Sequence, residues 1–115
     1  MAKVYQTSET SKKDVLKTRW YKGSYKMVKK AVLDVLLECG FKPNVTDDNY
    51  GEIFIENNNF SMTITIFEFS VLETSVDIYY ESKRLFEFGA GKKDIILFYS
   101  KLNSKIEFKG LALHP

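Results

Sequence analysis

The spacing of the apolar residues changes from helical to alternating along this chain, and that change limits the fold more than any other feature. Over residues 28–39 the spacing is helical, and the side chains on that one helix face are Val28, Ala31, Val32, Val35, Leu36 and Cys39. Ser24 stands where a helix N-cap belongs, and Gly40 stands where a left-handed C-terminal residue belongs. The pattern predicts a helix that begins after Ser24 and ends near Glu38 or Cys39.

After Pro43 the apolar residues alternate with polar ones, as they do in a strand with one buried face. Alternation is present over 44–56, where the chain turns at 47–51, and again over 60–69 and 74–80. A β-favouring run at 15–21 predicts an additional first strand, and helical spacing returns over 92–106. Residues 82–91 carry no period and are predicted to form an irregular loop.

These elements predict an α+β fold in the order β-α-β-β-β-α. The expected architecture is a two-layer sandwich in which two helices cover one face of an antiparallel sheet of three to four strands. The predicted core consists of Val28, Val32, Val35, Leu36, Ile53, Ile55, Met62, Ile64, Ile66, Val76, Ile78, Phe98, Leu102 and Ile106.

Length and composition indicate one globular domain. The 115 residues include 44% hydrophobic and 28% charged residues, within the ordinary globular range. We predict a domain at 14–108, a flexible N-terminal tail at 1–13 and a C-terminal tail at 109–115. No segment is apolar enough to predict a membrane span or a signal core. The chain as it stands is expected in the cytoplasm, or in the cell envelope if a signal or lipid anchor has been removed.

The inventory of catalytic side chains is poor. His114 is the single histidine and lies next to the chain end, where chains usually fray, and Cys39 lies on the apolar helix stripe without a histidine to activate it. The sequence therefore predicts no catalytic residues, no cofactor and no metal site. An orphan enzyme remains an alternative of a different class, and a pocket lined by two carboxylates would favour it.

The charge is unevenly divided between the two parts of the chain. Residues 1–42 carry ten Lys and Arg against four Asp and Glu, whereas residues 43–115 carry seven against eleven. Lysines near the start of the first helix, and the sequence Gly-Ala-Gly-Lys-Lys at 89–93, are candidate contacts for an anion or nucleic acid: Lys22, Lys26, Lys29, Lys30, Lys92 and Lys93. The 89–93 segment resembles the glycine-rich, double-lysine helix entry of double-stranded RNA-binding domains. Nucleic-acid binding is the alternative that this resemblance implies.

A longer stretch is similar to small, uncharacterised bacterial envelope domains, many of them lipoproteins, with the order β-α-β-β-β-α. Four segments of this chain resemble elements of those domains. They are a strand at 17–21, a helix end at 36–41, a turn and strand at 47–55 and a closing helix at 98–102. It spans roughly residues 15–106. The resemblance implies a non-enzymatic binding or structural module and transfers no catalytic motif.

Strand alternation also predicts an interaction surface. If Met62, Ile64 and Ile66 face the helices, aromatic side chains on the same and neighbouring strands face away from them: Phe54, Phe67, Phe69 and Tyr79. A sheet face that carries four aromatics and no covering helix predicts a homodimer formed by face-to-face packing. The alternative is that the N-terminal segment or the loop at 82–91 folds over that face.

Overall fold

The computed structural model describes residues 3–114. It contains two helices and seven strands. In chain order these are β1 (Lys3–Gln6), β2 (Arg19–Tyr21), α1 (Tyr25–Glu38), β3 (Val45–Asp47), β4 (Glu52–Glu56), β5 (Phe60–Ser70), β6 (Glu73–Ser82), α2 (Ala90–Lys105) and β7 (Phe108–Leu111). A short 3-10 helix at Asp14–Leu16 precedes β2, so only residues 19–21 of the strand predicted at 15–21 belong to a strand.

The seven strands form one open antiparallel sheet in the spatial order β3-β4-β5-β6-β2-β7. β1 joins the same edge of β6 as β2, pairing with residues 79–82 while β2 pairs with residues 74–76. The predicted α+β class and antiparallel meander are confirmed. The predicted number of three to four strands is too low, because β1, β3 and β7 are short edge strands with weak sequence signals.

The sheet extends into both predicted tails. β1 lies within the segment predicted as a flexible N-terminal tail at 1–13, and β7 lies partly within the predicted tail at 109–115. Both pair in register with a neighbouring strand. The domain is therefore longer than the predicted 14–108, and the reason is physical: β6 has ten residues, and its second edge is satisfied only when β1 and β2 lie end to end along it.

The core lies between the helices and the sheet face on which Ile64 and Ile78 sit. Every predicted core residue is buried there except Ile106, which is partly buried against the cluster. Several large side chains that were not predicted complete the core: Tyr5, Tyr21, Phe60, Tyr80, Ile95 and Tyr99. The aromatic side chains thus fill much of the space between the two layers.

Both ends of α1 follow their local sequence signals. The Ser24 hydroxyl accepts a hydrogen bond from the Met27 amide at 3.4 Å. At the other end Gly40 has φ of +76°, and the amide of Phe41 donates to the Leu36 carbonyl at 2.8 Å. This is the Schellman arrangement, which requires the left-handed conformation that glycine adopts without strain. The predicted helix limits are confirmed.

The two helices run antiparallel to each other. Met27 in the first turn of α1 and Ile106 after the last turn of α2 line one shallow depression. The Thr74 hydroxyl, near the start of β6, donates to the Gly23 carbonyl just before α1, whereas the Tyr80 hydroxyl, near the end of β6, donates to Asp94 in α2. The first turns of α1 and α2 therefore lie at opposite ends of the molecule.

Candidate functional site

The sheet face opposite the helices, here called the helix-free face, carries all four aromatics of the predicted interface. Phe54, Phe67 and Tyr79 alternate with core residues on their strands, and each side chain is at least partly exposed. Phe69 is 58% exposed, and its ring contacts Trp20, which lies opposite Ser75 in the same cross-strand row as Phe67 and so also faces away from the helices. The predicted orientation of these side chains therefore agrees with the structure.

The four aromatics do not form one continuous patch. Phe54 and Tyr79 share a cross-strand row with Thr63, whereas Phe67 lies opposite Ser75. A polar row formed by Thr65 and Asp77 lies between the two groups. Four residues along a strand span roughly 13 Å, so the two aromatic groups are separate surfaces.

The larger group lies where β5 and β6 turn. Phe67 and Phe69 are 56% and 58% exposed, and Val71 and Leu72 in the following turn are also exposed. We call these four residues the hairpin-end patch. It places four large apolar side chains at one end of the sheet, where the described helices do not cover them.

Chain segments from both ends of the domain pack beside this patch. Trp20 is only 3% exposed, because the His114 ring covers it at 4.7 Å between centroids and Glu9 accepts its indole N–H at 3.1 Å. The His114 ring also stacks on Phe69 at 4.4 Å. His114 was predicted in a fraying tail, and that prediction is wrong, because aromatic stacking and a carboxylate hold its ring in place.

The polar groups at the rim of the patch are bonded to other groups of the protein. His114 Nε2 lies 2.5 Å from Glu73 Oε2, and Lys109 Nζ lies 3.6 Å from Glu73 Oε1. The hydrogen bond from His114 is the main reason that the pKa of Glu73 lies below its usual value. Glu9 accepts from both the Trp20 indole and the His114 amide. The rim therefore offers no strong excess of one sign of charge.

The lysines predicted to contact an anion are not brought together. Lys29 pairs with Asp48 at 2.5 Å and Lys30 pairs with Asp34 at 3.1 Å. The remaining four lie in two groups at opposite ends of the molecule, since Lys22 and Lys26 flank the start of α1 whereas Lys92 and Lys93 lie in the first turn of α2. A single basic surface formed by all six side chains does not exist.

Asp77 occupies a position that sequence reasoning did not single out. Its carboxylate accepts hydrogen bonds from the hydroxyls of Thr7 at 2.6 Å and Thr18 at 2.7 Å, one following β1 and the other preceding β2. Burial raises the pKa of Asp77, and the two hydroxyl hydrogen bonds oppose that rise. The arrangement joins the two short strands that share the edge of β6. Its sequence signal was weak, because alternation alone placed Asp77 on an open face.

The most unusual surface feature is the segment between β6 and α2. Leu85, Phe86 and Phe88 are 86%, 70% and 86% exposed, and the two phenylalanine rings stack at 5.9 Å with an angle of 11°. We call these three residues the apolar loop. The sequence did contain the signal, namely three large apolar residues without periodicity between charged residues and glycines, but it predicted only an irregular loop.

Two charged residues of this segment, Arg84 and Glu87, point into the domain. Glu87 accepts hydrogen bonds from the Tyr5 hydroxyl at 2.8 Å, from the Gly91 amide at 2.7 Å and from the Ser82 hydroxyl. Arg84 donates to the Tyr80 hydroxyl at 2.7 Å and to Asp94 at 3.2 Å. The usual polarity of a surface loop is therefore inverted.

A depression of about 560 Å³ lies beside the apolar loop. Lys3, Lys13 and Lys92 line it together with Tyr5, Glu87 and Phe88. Burial acts to raise the pKa of Glu87, but the hydrogen bonds from Ser82, Gly91 and Tyr5 outweigh it, so the pKa lies below its usual value. The carboxylate is thus held ionised and fully occupied by protein donors, which is unlike a general acid that must release a proton near neutral pH.

Cys39 is partly buried at the end of α1. Burial raises the pKa of its thiol, which favours the unreactive protonated form. Within residues 3–114, no group of three or more His, Cys, Asp or Glu side chains is arranged to hold a metal ion. In the same range, neither helix is long and apolar enough to cross a membrane.

In comparisons with known proteins, the chain matches no family model, no curated protein and no solved structure. The resemblance to small bacterial envelope domains stays a prediction.

Proposed function

We propose that this protein is a non-enzymatic binding module that uses the hairpin-end patch to associate with a second copy of itself. The observation that carries the proposal is the exposure of Phe67, Phe69, Val71 and Leu72 at one end of the helix-free face. Scattered apolar residues are ordinary on a protein surface, but a group of large ones at one place is typical of an interaction site.

The shape and charge of the surroundings favour a flat, neutral partner. The patch lies on an extended hairpin rather than in a groove, and the Glu73 carboxylate beside it is already bonded to Lys109 and His114. A rim without a strong excess of one sign of charge does not select a strongly acidic or basic partner. A second copy presents the same apolar surface. In a dimer with two-fold symmetry each copy buries its patch against that of the other, so neither patch stays exposed to a third copy.

The extent of the interface follows from the gap between the two aromatic groups. Because the polar row of Thr65 and Asp77 separates Phe67 from Tyr79, the whole sheet face does not act as one apolar surface. A patch limited to one end buries less than the roughly 800 Å² per partner of a standard stable interface. We therefore expect a dimer that dissociates in the micromolar range.

Light scattering coupled to gel filtration tests the proposal over about 10–100 μM, the range expected for a weak interface. The wild-type mass should rise with concentration from the 13.3 kDa of one chain towards twice that value. Phe67→Glu should hold the mass at 13.3 kDa, because it places a charge in the centre of the contact.

Leu37→Glu is the matched control, since Leu37 is an exposed apolar residue on α1 away from the sheet. This variant should associate as wild type does. A wild-type mass that stays at the monomer value at all concentrations would contradict the proposal. So would equal loss of association in the two variants while both keep their circular dichroism spectra.

The lysine arrangement does not favour nucleic acid as the partner. Two of the six candidate lysines are paired with carboxylates, and the other four lie at opposite ends of the molecule. Binding to duplex or single-stranded nucleic acid that weakens steeply as the salt concentration rises would support nucleic acid as the partner.

A further inference from the structure

We propose that the apolar loop docks this protein onto an anionic lipid surface, by inserting its exposed side chains between headgroups while neighbouring lysines contact them. This surface is separate from the hairpin-end patch, because β6 runs between the two: the patch adjoins its first residue, Glu73, and the loop follows its last, Ser82.

The first argument is the inverted polarity of the loop. A solvated loop normally turns its charged side chains outward, yet here Arg84 and Glu87 are fastened inside and Leu85 and Phe88 are both 86% exposed. Exposing those apolar side chains to water is unfavourable unless another apolar phase receives them in the working state.

The second argument is that the loop is held rather than free. Besides the Glu87 hydrogen bonds, the amide of Lys83 donates to the Asn59 carbonyl at 2.8 Å and the amide of Ala90 donates to the Glu87 carbonyl at 2.8 Å. Phe88 has φ of +46°, a conformation that a bulky side chain rarely adopts. A fixed loop presents its apolar side chains without an additional ordering cost on binding.

The third argument is the charge around the loop. Lys3 and Lys13 line the depression that Phe88 also lines, as does Lys92, and Lys93 follows in the first turn of α2. None of these four ammonium groups forms an ion pair with a carboxylate of residues 3–114.

The carboxylates nearest the loop do not cancel this charge. Glu87 and Asp94 bind donors inside the domain, and Arg84 lies against both of them. Glu81 lies opposite Val4 on the helix-free face and is not one of the residues that line the depression. The apolar loop is therefore bordered by a net positive surface, and an anionic partner complements it.

A lipid surface fits these features better than an acidic protein. The three apolar side chains protrude on one short segment, and a lipid surface receives such a segment without the complementary shape that a protein interface requires. Shallow insertion of a few apolar side chains, together with attraction between lysines and anionic headgroups, is the way that peripheral proteins bind membranes.

Vesicle co-sedimentation tests the proposal with two lipid compositions. Vesicles of phosphatidylcholine with about 30% phosphatidylserine should bind the protein, and pure phosphatidylcholine should bind it much more weakly, since each lysine near an anionic surface strengthens binding about fivefold. Raising sodium chloride to about 0.5 M should release most of the bound protein.

Three variants separate the contributions. Phe86→Glu should weaken vesicle binding roughly tenfold or more, because it replaces an inserted ring by a repelled carboxylate. Lys92→Gln should weaken it about fivefold through the loss of one charge. Leu37→Glu, which adds the same carboxylate on α1, should bind as wild type does.

Four results would overturn the proposal. These are the absence of binding to either vesicle, equal binding to both compositions, equal weakening by Phe86→Glu and Leu37→Glu, and retention on immobilised polyglutamate without any vesicle binding. The last result would assign the loop to an acidic protein instead. Phe67→Glu leaves the apolar loop intact and should bind vesicles normally, so a failure of the dimer proposal stays separate from a failure of this one.

Discussion

Replacing Glu87 by alanine removes a carboxylate that accepts hydrogen bonds from three separate elements of the domain. The carboxylate is 15% exposed and receives hydrogen bonds from Tyr5 in β1, from Ser82 in β6 and from the Gly91 amide in α2. Hydrogen bonds to a charged acceptor contribute about 1.5–3 kcal/mol each, but they are not additive when they share one group. We expect Glu87→Ala to lower the free energy of unfolding by about 2–4 kcal/mol.

Guanidinium melts followed by circular dichroism measure this change, and the m-value should stay constant. For a chain of this length the expected loss corresponds to a melting temperature lower by about 10 °C. The matched control is Glu81→Ala, since no side-chain hydrogen bond of Glu81 appears within residues 3–114, and this change should stay within about 0.5 kcal/mol of wild type. If Glu87→Ala also stayed within that range, the carboxylate would not fasten the loop.

The pH dependence of stability provides an independent check on Glu87. Its folded pKa lies below the ordinary value, so its stabilising effect is complete above pH values near 4.3 and disappears as pH falls through the folded pKa. Glu87→Gln imitates the protonated side chain. The stability difference between wild type and this variant should therefore be largest at pH 7 and shrink in acid, and a difference that grows in acid would contradict the assignment.

Two further substitutions test the packing of α2 against the sheet and the junction between β1 and β2. Gly91→Ala should be destabilising by about 1–3 kcal/mol in thermal melts, although alanine usually favours a helix, because the added Cβ would lie 2.6 Å from ring carbons of Tyr5 and Tyr80; a stabilised variant would contradict this. Asp77→Asn should be at least as stable as wild type at pH 7. The raised folded pKa of Asp77 means that the protonated carboxyl stabilises the wild type, and this stabilisation is lost as pH rises through that pKa, whereas asparagine stays uncharged. Urea melts at pH 4 and pH 7 should show the stability of the variant improving relative to wild type at the higher pH, and the opposite trend would contradict the account.

The parts of the fold that the sequence predicted are those with local signals. The limits of α1 follow from Ser24 and Gly40, and the buried face of β5 follows from alternation. These signals depend on residues within a few positions of one another. A reader of the sequence therefore has all the information that determines them.

The missing strands depend on distant residues. β1 and β7 have four residues each, too few for alternation to be distinguished from chance. What selects them is the unpaired edge of another strand: β6 offers its edge to β1, and β2 offers its edge to β7. That requirement becomes visible only when the long central strands are in place.

The candidate surfaces were predicted only in part, because they too depend on contacts between residues that are distant in the sequence. Alternation placed Phe67 and Tyr79 on the correct face, but the register between β5 and β6 decides that the row of Thr65 and Asp77 separates them. The apolar loop was not recognised, because only the contacts of Arg84 and Glu87 show that its polar side chains point inward.

The central claim, self-association through the hairpin-end patch, is tested most directly by a dilution series of proton–nitrogen correlation spectra. Between about 20 and 500 μM, which spans the affinity expected of a small interface, the account predicts concentration-dependent shifts at Phe67, Phe69, Val71, Leu72 and His114, with the amides of α1 and the apolar loop unchanged. Spectra that stay constant over this range, or shifts confined to the apolar loop, would contradict the claim.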